Sequence, residues 1–273
     1  MSIRMSVKAS KAPQVIEHLP FETDEGIAER ARIGLILLAT DFTIEHEWRA
    51  IMTGLSGVAL YQNRIFCDWQ ITPDTLCALE SRISTATELI LPGSRLDVVA
   101  FGCTSASIAI GEDRVFEQIR AVRPESRTTT PITAAFAAFR ALKAKRIGIL
   151  TPYRTDVNRI MTEYIQARGF EIPIFASFNE QDDRVVSRIT PASIRRGIQR
   201  IMDQTPVDAV FVSCTSIRLV EELRQIERDT GVFITSSNHA MAWHVLRLAG
   251  VGDALPQWGH LFEKSIDYEP STI

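Results

Sequence analysis

Short apolar runs alternate with amphipathic stretches along most of this chain. The apolar runs fall at 33–39, 57–66, 96–102, 146–152, 171–178, 207–213 and 231–237. They are continuous rather than alternating, which predicts strands buried on both faces. Between them, apolar residues recur at spacings of three and four near 43–54, 73–91, 104–123, 131–144, 155–168, 191–204, 216–229 and 238–249, which predicts helices. Thr72-Pro73, Thr130-Pro131 and Thr190-Pro191 each place a capping hydroxyl before a first-turn proline. Strands alternating with helices predict an α/β fold with parallel sheets covered on both faces.

The alternation repeats itself. "RIGLI" begins at Arg32 and "RIGIL" at Arg146, 114 residues on. "LDVVAFGCTS" and "VDAVFVSCTS" align Asp97 with Asp208 and Cys103 with Cys214, each 111 residues apart. After each cysteine come a helix and a short Thr/Ser-rich segment opening a further helix. One α/β unit therefore occurs twice, as a first lobe over 31–144 and a second over 145–250. Each is expected to be Rossmann-like (flavodoxin-like), the two being related by a pseudo-two-fold axis with the active cleft between them. No Gly/Pro-rich linker separates them. An N-terminal arm (1–30) and a C-terminal tail (251–273) complete the chain. The tail carries Trp258, Phe262 and Tyr268, which either cap a neighbouring copy or fold back on their own chain. A homodimer or higher homo-oligomer is expected.

Composition narrows the partners. The 273 residues carry a net charge of −3 and no Lys/Arg-rich run, which argues against nucleic acid. No apolar run approaches the roughly 20 residues needed to cross a bilayer. The N-terminal "MSIRMSVKASKAPQVIEHL" has no apolar h-region, so no membrane association and a cytoplasmic location are expected. Four cysteines in such a chain are expected as free thiols.

The paired Cys-Thr-Ser segments hold the candidate chemistry. They are open to four readings: a metal site, a disulfide, two unrelated core cysteines, or two halves of one catalytic site. Each cysteine ends an apolar strand just before a helix, where open α/β sheets bind ligands. A helix N-terminus there stabilises a thiolate. The following Thr and Ser hydroxyls and amides suit a carboxylate. Zinc is disfavoured, because there is no CxxC and His239 and His244 are not spaced for one helix face. Cys67 and Cys77 lack such a context and read as structural. Neither GxGxxG nor GxxxxGK[ST] is present, so no nucleotide cofactor is expected.

With these residues in view, the chain resembles the aspartate/glutamate racemase superfamily. Within it, it is similar to the branch of maleate cis-trans isomerase, arylmalonate decarboxylase and ectoine-utilisation protein A. "RIGLILLATDFTIEHE", "DVVAFGCTSAS", "RIGILTPYRTDVN", "DAVFVSCTSIR" and "GVFITSSNHAMAWHVLR" carry the resemblance, over roughly 30–252. It implies an isomerase without cofactor or metal, with Cys103 and Cys214 on opposite sides of a small carboxylate substrate. In the maleate isomerases the first-half cysteine attacks the alkene and the second exchanges a proton, while the decarboxylases keep only the second. The resemblance also places Tyr153, Asn158, Thr104, Ser105, Thr215 and Ser216 around the substrate carboxylates.

Asp41 departs from the neutral group expected there. A carboxylate near Cys103 raises that thiol's pKa and repels a dicarboxylate. It serves as a base, holds a positive group of the substrate, or merely caps a helix. It points toward an amino-acid-like or amidine-bearing substrate and a role in ectoine degradation. The expected chemistry has one cysteine, as a thiolate near working pH, removing an α-proton or adding to an alkene, while the other delivers a proton to the opposite face. The alternatives are an arylmalonate-type decarboxylase or lyase and a non-enzymatic binding protein. Arg154, Arg218 and His239 are expected near the cleft mouth.

Overall fold

The strands assemble into two separate four-stranded parallel sheets. The computed structural model describes residues 14–68, 72–180 and 182–266. In the first half, β1 (Ala31–Leu38), α1 (Ile44–Met52), β2 (Val58–Ile65), α2 (Pro73–Cys77), α3 (Glu80–Glu88), β3 (Val98–Gly102), α4 (Thr104–Ile110), α5 (Glu112–Arg120), β4 (Arg127–Thr129) and α6 (Pro131–Ala141) follow in turn. In the second half, β5 (Arg146–Thr151), α7 (Thr155–Gln166), β6 (Glu171–Ser177), α8 (Asp183–Val186), α9 (Pro191–Gln204), β7 (Ala209–Val212), α10 (Val220–Thr230), β8 (Phe233–Ser236) and α11 (Ser237–Leu248) do the same.

The sheet orders are β2-β1-β3-β4 and β6-β5-β7-β8. Ile33 pairs with Val98 and Ile147 with Ala209, so register follows the sequence repeat. The repeated aspartates explain part of this. Asp97 accepts from the Arg32 amide at 2.8 Å, and Asp208 from the Arg146 amide at 2.8 Å. Each pins the start of its central strand. The Thr-Pro signals also act as the spacing predicts. Thr72, Thr130 and Thr190 accept from the amides of Thr75, Thr133 and Ser193.

The halves interlock through their last helices. Phe139 of α6 meets Phe211 of β7 edge-on at 5.6 Å. Helix α11 in turn packs on β3, β4 and α1. Trp48 and Trp243 are fully buried in the main core, which spans both halves. A smaller apolar cluster lies under α3 and α5, against the other face of the first sheet. Each such large side chain stabilises the fold by roughly 1.5–3 kcal/mol on burial.

Several expected boundaries move. The helix expected over 104–123 breaks at Gly111, whose φ of +93 a side chain resists. The one expected over 73–91 divides into α2 and α3. Strand β4 is short and polar, with Thr129 buried, and carries no apolar run to announce it. The helix expected from 216 begins only at Val220. Glu47 of α1 accepts from the Leu219 and Val220 amides at 2.6 and 2.8 Å and fixes that start from the other half. In the tail, Phe262 is fully buried against His239, with rings 4.9 Å apart, so it caps its own chain. The Trp258 carbonyl accepts from His239 Nε2. Tyr268 lies outside the described residues. No described helix is long and apolar enough to cross a membrane.

Candidate active site between the two sheets

The repeat brings the two cysteines to one cavity from opposite sheets. Cys103 leaves β3 after Gly102, where an added Cβ would lie 3.0 Å from Ile44 Cδ1 and 3.2 Å from the Ile36 carbonyl. Its extended backbone (φ −147) starts α4, and its carbonyl accepts from the Ser107 amide at 3.1 Å. Cys103 Sγ stands 3.7 Å from Ser105 Oγ. Cys214 follows β7, and its Sγ accepts from the Ser216 amide at 3.4 Å. Its own amide donates to Ser237 Oγ at 3.1 Å, and that hydroxyl lies 2.8 Å from Thr104 Oγ1. A short polar relay thus sets the two thiol-bearing loops against each other.

Asp41, Thr104, Ser105, Tyr153, Thr215 and Ser216 line the cavity with both cysteines. Leu38, Leu76 and Leu79 give it an apolar side. Its free volume is about 30 Å³, room for about one or two waters. Asn158 stands apart. It is buried, accepts from Thr151 Oγ1 at 2.8 Å and donates to the Tyr153 carbonyl at 2.8 Å. Both ends of its amide hold the turn that presents Tyr153, and Asn158 itself does not line the cavity.

The thiols are not poised near neutral pH. Burial pushes Cys103 up to about 12, against the opposing pull of the Ala106 amide and Ser105. Burial, then the Asp183 charge, pushes Cys214 higher still, while Tyr153 and the Ser216 amide pull it back. Desolvation outweighs the helix terminus expected to lower them, and Cys214 is followed by a turn rather than a helix. Tyr153 is itself held far above the usual phenol range by burial, with both cysteines beside it. It stays a hydrogen-bond donor.

Asp41 takes up the helix-start role that was one of its expected readings. Its Oδ1 accepts from the Thr43 and Ile44 amides at 2.7 and 2.9 Å at the start of α1. Its Oδ2 is buried and has no hydrogen-bond partner. Burial raises its pKa, and the Ile44 amide and Thr215 hydroxyl draw it back.

Other placements agree with expectation only in part. His239 is fully buried and does not line the cavity, and burial lowers it to about 4. Arg154 and Arg218 are exposed, and neither lines the cavity. Cys67, expected to be structural, lines the cavity, with Sγ 3.2 Å from Thr40 Oγ1. Cys77 is exposed. The sequence reading missed Asp183 of α8, which lines the cavity and accepts from Thr40 Oγ1 at 2.9 Å and Ser216 Oγ at 3.2 Å. It sits in "EQDDRVV", which looks like solvated surface. Only the acidic doublet marks it, and Asp182 serves as the cap of α8.

Comparison with known proteins agrees with this geometry. A family model described as arylmalonate decarboxylase matches residues 70–262. A maleate isomerase of Nocardia farcinica is 26% identical over 246 residues, 85% of this chain and 96% of that protein. An arylmalonate decarboxylase of Bordetella bronchiseptica is 29% identical over 139 residues, 50% of this chain and 58% of that one. A solved Pseudomonas putida maleate isomerase mutant with maleate superposes with a TM-score of 0.79 at 21% identity, covering 86% of this chain and 98% of its own. A Nocardia farcinica mutant with a covalently bound succinylcysteine intermediate gives 0.77 at 22%, over 85% of this chain and 98% of that one. These relatives agree with the expectation of an isomerase. Two repeated sheets, a strand-end cysteine from each and the matching family model lead to one conclusion: the chain belongs to the arylmalonate decarboxylase family, in the branch of the aspartate/glutamate racemase superfamily that also holds the maleate isomerases.

Proposed function

We propose that this protein is a cofactor-independent isomerase or racemase in which Cys103 and Cys214 act on opposite faces of one small carboxylate. The observation that carries the reading is the pair of buried thiols lining one cavity from two separate sheets. Thr104, Ser105, Thr215, Ser216 and Tyr153 surround them with hydroxyls and amides that suit a carboxylate and the oxyanion developing on it.

By resemblance to the maleate isomerases, Cys103, the cysteine of the first half, takes the nucleophile or base role. Adding to an alkene, its sulfur bonds to one carbon and the electron pair moves onto the neighbouring carboxylate as an enediolate. Cys214 S–H protonates the enediolate carbon to give a succinyl thioether. After rotation about the new single bond, the Cys214 thiolate takes a proton back from that carbon as the sulfur leaves, which returns the trans alkene and restores both thiols. Acting as a base, it takes the α-proton while Cys214 S–H supplies one to the other face. Either route balances without an oxidant or a cofactor. The named succinylcysteine adduct in the Nocardia relative supports the addition route. The four free thiols suit a reducing, cytoplasmic setting, and a role in ectoine degradation belongs to the same proposal.

Product analysis tests it. The protein is incubated with maleate, aspartate, a hydantoin, ectoine and an arylmalonate, followed by proton NMR and chiral chromatography. A trans product or a racemate is expected. Carbon dioxide release from the arylmalonate alone would transfer the protein to the decarboxylases, and no change in any compound would overturn catalysis.

A further inference from the structure

Three carboxylates line the cavity: the exposed Asp68, and the more buried Asp41 and Asp183, which reach it from different halves of the molecule. Asp41 comes from the end of β1 and Asp183 from α8. Among the described residues, no lysine, arginine or histidine lines it. Arg64, the cation that acts on Asp41, spends its guanidinium on the Leu38, Ala39 and Asp41 carbonyls and on Glu45. The thiol-bearing site is therefore acidic, with no basic side chain to receive a second carboxylate.

The contacts of Asp41 and Asp183 do not account for their charge. Asp183 accepts from two hydroxyls, Thr40 and Ser216, and an uncharged amide oxygen accepts a hydroxyl as well. Asp41 uses Oδ1 for the start of α1, its Oδ2 is buried without a hydrogen bond of ordinary geometry, and the uncharged Thr215 hydroxyl is the one side-chain donor that acts on the carboxylate. A buried acceptor in that position calls for a partner, and a charged acceptor calls for a cationic one.

We propose that Asp41 and Asp183 are specificity-determining residues that select a carboxylate substrate also bearing a protonated nitrogen, as ammonium or amidinium, over a plain dicarboxylate. The assignment rests on the two-thiol reading and adds the substrate class to it. It also links recognition to chemistry. Asp183 acts on both cysteines and Asp41 on Cys214, each disfavouring a thiolate. A substrate cation beside them cancels that repulsion when the substrate arrives, whereas a dianion adds to it. The thiols then ionise with the correct substrate in place and stay protonated without it.

Matched ligand pairs test the assignment. Calorimetry measures aspartate against succinate and alanine against propionate, each pair differing by one ammonium group. The full-length wild type, Asp183→Asn and Asp41→Asn are compared, with thermal melts to confirm folding. The wild type is expected to bind the aminated member of at least one pair about tenfold or more tightly than its partner, and each variant to lose most of that preference. No preference in either pair, including no binding of the aminated members, overturns the proposal. So does a preference that both variants keep. Deuterium exchange from solvent, followed by NMR on the same samples and on maleate, separates the two claims. A nitrogen preference without exchange removes the two-thiol chemistry and keeps the recognition. Exchange of maleate with no nitrogen preference keeps the chemistry and removes the recognition.

Discussion

Thr104 and Ser237 join hydroxyls at 2.8 Å across the two halves of the chain. Thr104 follows Cys103 directly, and Ser237 accepts the amide of Cys214. One buried side chain therefore sets the position of both sulfur-bearing loops. Ser237→Ala leaves the Cys214 amide and the Thr104 hydroxyl without their partner. It is expected to lower stability by about 1–3 kcal/mol in denaturant unfolding. It should also slow turnover more than that loss explains, because both loops are released. Unchanged kinetics in a folded variant would contradict the coupling.

Glu47 ties α1 to the start of α10, and its Oε2 accepts from Asn238 Nδ2 at 2.7 Å. Burial raises it from 4.5 to about 7 despite these bonds. In the unfolded chain it ionises above its ordinary value, while the folded protein keeps its proton until about pH 7. The folded state thus binds the extra proton in that window, and stability falls as pH rises through it, by on the order of 3 kcal/mol at most. Buried His239 and His244, both lowered to about 4, act in the opposite sense below pH 6.5. Comparing Glu47→Gln with wild type isolates the carboxylate. The stability difference is expected to shift in favour of the variant between about pH 4.5 and 7 in urea unfolding.

Alkylation reports the thiol environments. At pH 8, a thiol held near 12 is ionised in roughly one molecule in 10,000. Cys103 and Cys214 are also 5% exposed, whereas Cys77 is on the surface. Iodoacetamide with peptide mapping should label Cys77 about 100-fold or more faster than either, with labelling of both accelerating as pH rises. Equal rates at pH 8 would contradict the buried, protonated resting state.

Gly148 sits in the repeated "RIGIL", where an added Cβ would lie 2.5 Å from Ile201 Cγ2. Gly148→Ala should cost about 1–3 kcal/mol through overpacking of α9 on β5, read as a shift in the denaturant midpoint.

The fold was readable because burial and periodicity agree along most of the chain. Continuous apolar strands separated by capped helices have few other solutions. The repeated Cys-Thr-Ser marked the two strand ends that meet at the cavity. What escaped notice depends on contacts between distant residues. Asp183 looks like surface charge until α8 is laid over the cleft. The late start of α10 depends on Glu47, more than 170 residues away. The raised thiols could not be read from a helix terminus, because desolvation is a property of the closed cavity. Asn158 was placed by family pattern near the substrate, yet its two hydrogen bonds go to Thr151 and Tyr153.

The central claim is that two thiols serve one substrate, and solvent isotope exchange measures this most directly. The substrate found by product analysis is incubated in deuterated water with wild type, Cys103→Ala and Cys214→Ala, all shown to be folded. The account predicts deuterium entry in wild type and a loss of about 100-fold or more in each single variant. Exchange that survives in Cys103→Ala at the wild-type rate would contradict it and leave Cys214 as a lone proton donor.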